Sequence, residues 1–238
     1  MNFLLSDTFT TSLAKLTGEE QKAVKTTAFD LQLNPANPGF SFHKLDRARD
    51  KNFWSVRVNR DIRIIVHRTE SSLLLCYVDH HDKAYDWAER HKLETHPKTG
   101  AAQLVEIRER VEEVRQPRYL TESLPVAKPL LFESVSDEEL LAYGVPPEWL
   151  ADVRQADDDS LLDLALHLPQ EAAEALLTLA TGGQPVAYSV PKDVSPFDHP
   201  DAMRRFRVME NQEALEQALS YPWEKWSVFL HPEQEDWV

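Results

Sequence analysis

The chain has 238 residues, a net charge of −14, 42% hydrophobic residues and a single cysteine. That apolar content excludes a disordered polypeptide, and the overall acidity argues against a general nucleic-acid coat. One thiol, Cys76, cannot close an internal disulfide, no apolar run approaches the ~18 residues of a membrane span, and the N-terminus lacks a basic-then-apolar leader, so a reducing cytoplasm is the expected compartment.

The charge is unevenly spread. Residues 1–98 hold 15 Lys/Arg and 13 Asp/Glu, which leaves 11 and 27 for the rest of the chain. Within residues 39–68 eight basic residues (Lys44, Arg47, Arg49, Lys51, Arg57, Arg60, Arg63 and Arg68) face three aspartates, a local patch able to attract phosphate on an acidic molecule.

In chain order, residues 4–16 contain a capped helix started by Ser6 or Asp7, with Phe9, Leu13 and Leu16 at helical spacing. Thr17-Gly18-Glu19-Glu20 reads as an N-cap with acids in the first turn of a second helix, which ends before the Asn34–Gly39 stretch. Residues 40–45 are a candidate strand. Residues 53–59 and 62–67 alternate as half-buried strands around an Arg60-Asp61 turn, and residues 73–78 are apolar enough to be covered on both faces. The period then becomes helical, with Ala84, Trp87, Ala88 and His91 on one face. The order predicts an α+β domain over residues 1–95, an αα-hairpin laid on one face of a small antiparallel sheet.

A meander of these strands brings Arg57 and Arg63 to one face, with His80, His81 and Tyr85 at the exit of the third strand. Guanidiniums, imidazoles and a phenol at one edge suit a phosphodiester. Arg63-Ile64-Ile65-Val66, Asp79-His80-His81 and Tyr85 resemble the motifs of RelE-type toxins, ribosome-dependent endoribonucleases built from an αα-hairpin on an antiparallel sheet. The resemblance covers about the first 95 residues. It implies Arg63, His81 and Tyr85 as catalytic groups; together with the local basic patch, Lys44, Arg47, Arg57, Arg60, Arg63 and His80 are the expected contacts to RNA or single-stranded DNA. The sequence departs from the family where Asp79 and Asp82 flank the histidines, because carboxylates there repel an RNA phosphate.

Residues 96–128 are expected to be a helix over 101–115 followed by a proline-containing linker. Residues 129–183 read as an acidic helical region: a capping box at Ser136-Asp137-Glu138-Glu139, a stop at Gly144-Val145-Pro146-Pro147, Asp157-Asp158-Asp159 capping the next helix, and Pro169 opening a last one. Residues 184–238 form a short α/β tail. Residues 185–196 read as extended, Pro200 starts a helix, residues 204–209 make a strand and Asn211 caps a helix. The His-Pro-Asp at 199–201 matches the J-domain tripeptide without that family's flanking basic helices. Leu230-His231-Pro232-Glu233-Gln234 is similar to the segment that opens the motor of bacterial UvrD/Rep-type superfamily 1 helicases, where the glutamine contacts adenine. That resemblance implies a cofactor role for Gln234 if a motor follows, a helicase motor as partner in cis or in trans, and a bacterial cytoplasmic setting. No G-x-x-x-x-G-K-[ST] loop occurs, so no cofactor is expected in this chain. The expected function is the accessory region of a UvrD-like helicase with a RelE-like binding module. The alternatives are a metal-independent endoribonuclease and an acidic protein-interaction adaptor.

Overall fold

The computed structural model describes residues 1–35, 37, 39–107, 129–187 and 194–220. The chain divides into two compact units, Met1–Leu104 with Val190–Val238, and Val105–Ser189. The architecture is mixed α/β, with a mostly antiparallel six-stranded sheet.

In the first unit the order is β1 (Asn2–Ser6), α1 (Asp7–Leu13), α2 (Gly18–Leu33), β2 (Phe42–Lys44), β3 (Phe53–Arg57), β4 (Ile62–Arg68), β5 (Ser72–His80), α3 (His81–Arg90) and β6 (His91–Thr95), followed by β7 (Ala102–Glu106), whose last two residues belong to the second unit. The sheet runs β2-β3-β4-β5-β1-β8, where β8 is Phe206–Val208 from the tail. Among the described strands of this sheet, only β1 against β5 is parallel. The meander expected from the alternation is present, and its register sets Arg57 opposite Arg63 and Arg63 opposite Asp79.

Two local expectations are corrected, and one strand was not foreseen. Residues 4–16 contain the expected helix as α1, but the residues before it form β1. Phe3 and Leu5 are buried with one core cluster and Leu4 with another, the alternation of a strand covered on both faces. The helix starts at Ser6 as expected, with the Ser6 Oγ accepting from the Phe9 amide at 3.0 Å. The sheet, however, is not covered on a single face. Phe9, Val24, Leu31 and Leu215 of α1, α2 and α9 (Gln212–Ser220) pack with Val56, Ile64 and Leu75, whereas Ala84, Trp87 and Ala88 of α3 pack with Phe53, Ile65 and Leu74. Finally, the expected helix over 101–115 begins instead as β7, paired with β6 across a turn in which Gly100 adopts φ +82°. Residues 108–115 of that expectation lie outside the described residues.

A bulge interrupts β5: Ile65 faces Tyr77 but Val66 faces Leu75, so Cys76 is the extra residue. Its carbonyl accepts the Ser6 hydroxyl at 2.9 Å, and its thiol is fully buried and pushed up by desolvation.

The second unit holds α4 (Asp137–Ala142), α5 (Leu150–Arg154), α6 (Leu161–Ala165) and α7 (Gln170–Ala180) around Phe132, Leu140, Trp149, Leu164 and Leu176. Trp149 Nε1 donates to the Glu106 carbonyl at 2.9 Å. The capping box at Ser136 and Glu139 is formed in both directions, and those bonds from Ser136 hold the Glu139 carboxyl below its ordinary range. Asp157 Oδ1 accepts from the Ser160 and Asp159 amides, which is capping. In the tail, α8 (Pro200–Met203) starts at the proline as expected, and Asn211 Oδ1 accepts from the Ala214 amide at 2.8 Å.

Candidate nucleic-acid interface

The candidate residues separate into two groups. One lines a groove of about 480 Å³ between β2 with its following loop and α3. Phe42–Lys44 is an edge strand of only three residues, so the chain leaves the sheet after Lys44 and places Lys44 and Arg47 along one wall. Lys44 Nζ sits 5.7 Å from the Trp54 ring, and Arg47 makes no hydrogen bond or ion pair with any described residue. The α3 wall supplies His81, Asp82, Tyr85, Asp86 and Glu89. His81 packs on Tyr85 with ring centroids 4.3 Å apart, and its Nδ1 lies 2.8 Å from Asp82 Oδ1. Tyr85 Oη is 3.1 Å from Ser55 Oγ, a contact that ties the phenol to the sheet.

The second group surrounds the β3–β4 turn and does not line that groove. Asn59 Oδ1 caps the turn by accepting from the Asp61 and Ile62 amides at 2.9 and 2.8 Å. Arg63 Nη1 donates to the carbonyls of Asn59, Arg60 and Ile62, and Arg57 Nε donates to the same Asn59 carbonyl at 3.1 Å. Both guanidiniums therefore donate to carbonyls of their own turn. Arg60 is exposed at the tip. His80 leaves the groove side altogether. Its Nε2 lies 3.2 Å from Glu20 Oε1 on α2, and its Nδ1 lies 3.1 Å from Asp79 Oδ1. Two adjacent histidines thus separate because His80 ends a strand while His81 begins a helix.

The electrostatics follow from these partners. The Glu20 carboxyl is held below its ordinary range first by the Thr17 amide, then by the Thr17 hydroxyl, with His80 a smaller cause. Burial pushes Asp79 up, yet hydrogen bonds from the His80 amide, the His80 ring and Tyr77 outweigh it and leave the carboxyl lowered. Tyr77 is pushed up to about 12 by burial and by Asp79, and its ring stacks on Trp87 at 4.7 Å.

Sequence reasoning passed over His43 and the carboxylates Asp86 and Glu89 of the groove. Asp82, Asp86 and Glu89 recur at helical spacing on α3, which was the available signal. It also passed over a buried pair elsewhere in the unit. His67 Nε2 lies 3.5 Å from Asp50 Oδ2, which further accepts from the Leu93 amide. Desolvation holds the His67 imidazole below its ordinary value despite the opposing pull of Asp50. Gln234 lies outside the described residues. No helix among the described residues is long and apolar enough to cross a membrane.

No protein-family model matches the chain, and no curated protein and no solved structure does so either.

Proposed function

We propose that this chain is the accessory region of a UvrD-like helicase, in which the first unit is a RelE-like module that binds single-stranded nucleic acid without cutting it. The observation that carries the reading is the contrast in cations. Lys44 and Arg47 line an accessible groove, whereas Arg57 and Arg63 are committed to backbone carbonyls. Phosphates run along the Lys44–Arg47 wall, where neutralising them releases counterions. The base faces the opposite wall. There the His81–Tyr85 ring pair offers a stacking surface, and Asp82, Asp86 and Glu89 accept from exocyclic amino groups. The helicase setting rests on the resemblance around Gln234, and the RelE-like reading on Arg63, His81 and Tyr85 within a βαα unit followed by a β-meander and a helix.

Titration of labelled single-stranded DNA and RNA across salt tests this. Micromolar binding that weakens with salt, and weakens again in Lys44→Ala/Arg47→Ala, is the expected result. Equal affinity of that variant and the parent removes the groove from the reading.

A second reading, the metal-independent endoribonuclease, is favoured by the Asp82–His81 pairing. A carboxylate on Nδ1 leaves Nε2 as the proton-transfer atom, and Tyr85 lies against the same ring. Growth arrest and mRNA cleavage on expression, both abolished by His81→Ala and by Tyr85→Phe, are what it requires. If parent and variants behave alike, the enzyme reading ends.

A further inference from the structure

The second unit carries a surface of different chemistry. Its described residues 129–187 contain twelve Asp/Glu and one Lys/Arg, namely Arg154. Arg154 does little to offset that charge at the surface, because Nε donates to Asp137 Oδ1 at 2.8 Å and Nη1 to the Phe132 carbonyl at 2.7 Å. Leu161 and Leu164 of α6 enter the core, but Leu162 of α6 is 66% exposed and Leu166, the helical residue that caps it, 82% exposed. Four positions apart, they stand on one face of a single turn. Asp158 lies one turn before Leu162, and Asp163 lies beside it; both are exposed. Single exposed leucines are ordinary on a protein surface, whereas two on one turn, flanked by carboxylates of one sign, make a two-point apolar contact with a charged rim.

We propose that the Leu162–Leu166 ridge docks a cationic amphipathic helix of another protein. Two apolar side chains of the partner, one turn apart, cover the leucines, while its Lys and Arg side chains reach Asp158 and Asp163. Charge complementarity selects this occupant. A second copy of the chain would set carboxylates against carboxylates, and an anionic bilayer would be repelled. The inference does not depend on nucleic-acid binding by the first unit.

The test uses the full chain and a fluorescein-labelled synthetic helix of lysines with leucines at i and i+4, beside a control of equal charge carrying glutamines for the leucines. The leucine peptide binds the parent more tightly than the control. Leu162→Gln/Leu166→Gln weakens that binding by about tenfold and leaves the control peptide unchanged. Asp158→Asn/Asp163→Asn weakens both peptides and flattens their salt dependence. Both side-chain pairs are exposed, so circular dichroism and the thermal midpoint stay at the parental values. If the leucine double variant loses its fold, Leu166→Gln alone supplies the reading. Equal binding of the two peptides, or parental binding by the leucine variant, overturns the proposal. So does self-association or vesicle capture that requires the two leucines, since either identifies another occupant.

Discussion

The β3–β4 turn and the β2–α3 groove each gather basic side chains from the same thirty residues, and they use them in opposite ways. At the turn, Arg57 Nε and Arg63 Nη1 both donate to the Asn59 carbonyl, so these donors are held by the backbone that carries them. In the groove, Lys44 ends the short edge strand and Arg47 stands on the loop that follows, across from a helix carrying acids and rings. The difference teaches that a count of arginines locates a patch without saying which cations remain available to a ligand. A strand-end arginine beside a tight turn has carbonyl acceptors within reach, and a loop cation after a short edge strand has fewer.

The largest effect that should separate the two regions is on binding. Lys44→Ala/Arg47→Ala is expected to weaken single-stranded oligonucleotide affinity by about 10- to 100-fold at low salt. The magnitude of the log–log salt slope should fall by about 1.4, as for two lost phosphate contacts. Arg63→Ala should do the reverse. It leaves affinity within about twofold and lowers unfolding free energy by about 1–2 kcal/mol, because charge-assisted bonds to the turn carbonyls are lost. Urea denaturation and the oligonucleotide titration, run on the same preparations, decide whether the regions are as distinct as the geometry implies.

Acidification provides a third, smaller probe. The folded His67 imidazole is lowered, so the unfolded chain takes up that proton first as the pH falls. The stability supported by neutral His67 is complete above about pH 6.5 and is lost progressively below it, towards the depressed folded value. Urea midpoints of the parent should therefore fall more between about pH 7 and pH 5 than those of His67→Gln. The smallest effect is expected for Tyr85→Phe. Loss of the Ser55 contact costs about 0.5–1 kcal/mol of stability, and oligonucleotide affinity changes by less than about twofold, since the ring remains.

Much of the scaffold was legible because its signals are local. The alternation of residues 53–59 and 62–67 gave the meander and the Arg57–Arg63 pairing. Capping at Ser136 and Asn211 and the start at Pro200 were visible as short-range chemistry. What escaped depends on distant partners. The five residues of β1 are held by β5 and β8, and no nearby residue announces either. Ala102–Glu106 has the spacing of a helix, yet it pairs with β6 and buries Ala102 and Leu104 in a sheet-side cluster, so tertiary contacts override its pattern. The candidate site was half legible for the same reason. Lys44, Arg47, His81 and Tyr85 come together, while Arg57, Arg60, Arg63 and His80 do not line the same groove. Spacing alone does not report which carbonyl or carboxylate lies within reach of a charged side chain.

The outer partner of β1 is β8, which joins Leu4, Leu5 and Ser6 to Val208, Arg207 and Phe206. On the ribosome, the first strand is therefore made long before its last neighbour emerges. Until Phe206–Val208 arrives, one side of β1 presents open amides and carbonyls, the template on which nascent chains pair with one another. Versions ending before residue 206 would keep that open side permanently and should aggregate, whereas lengthening the chain between β5 and β8 costs only the slowly growing entropy of a larger loop.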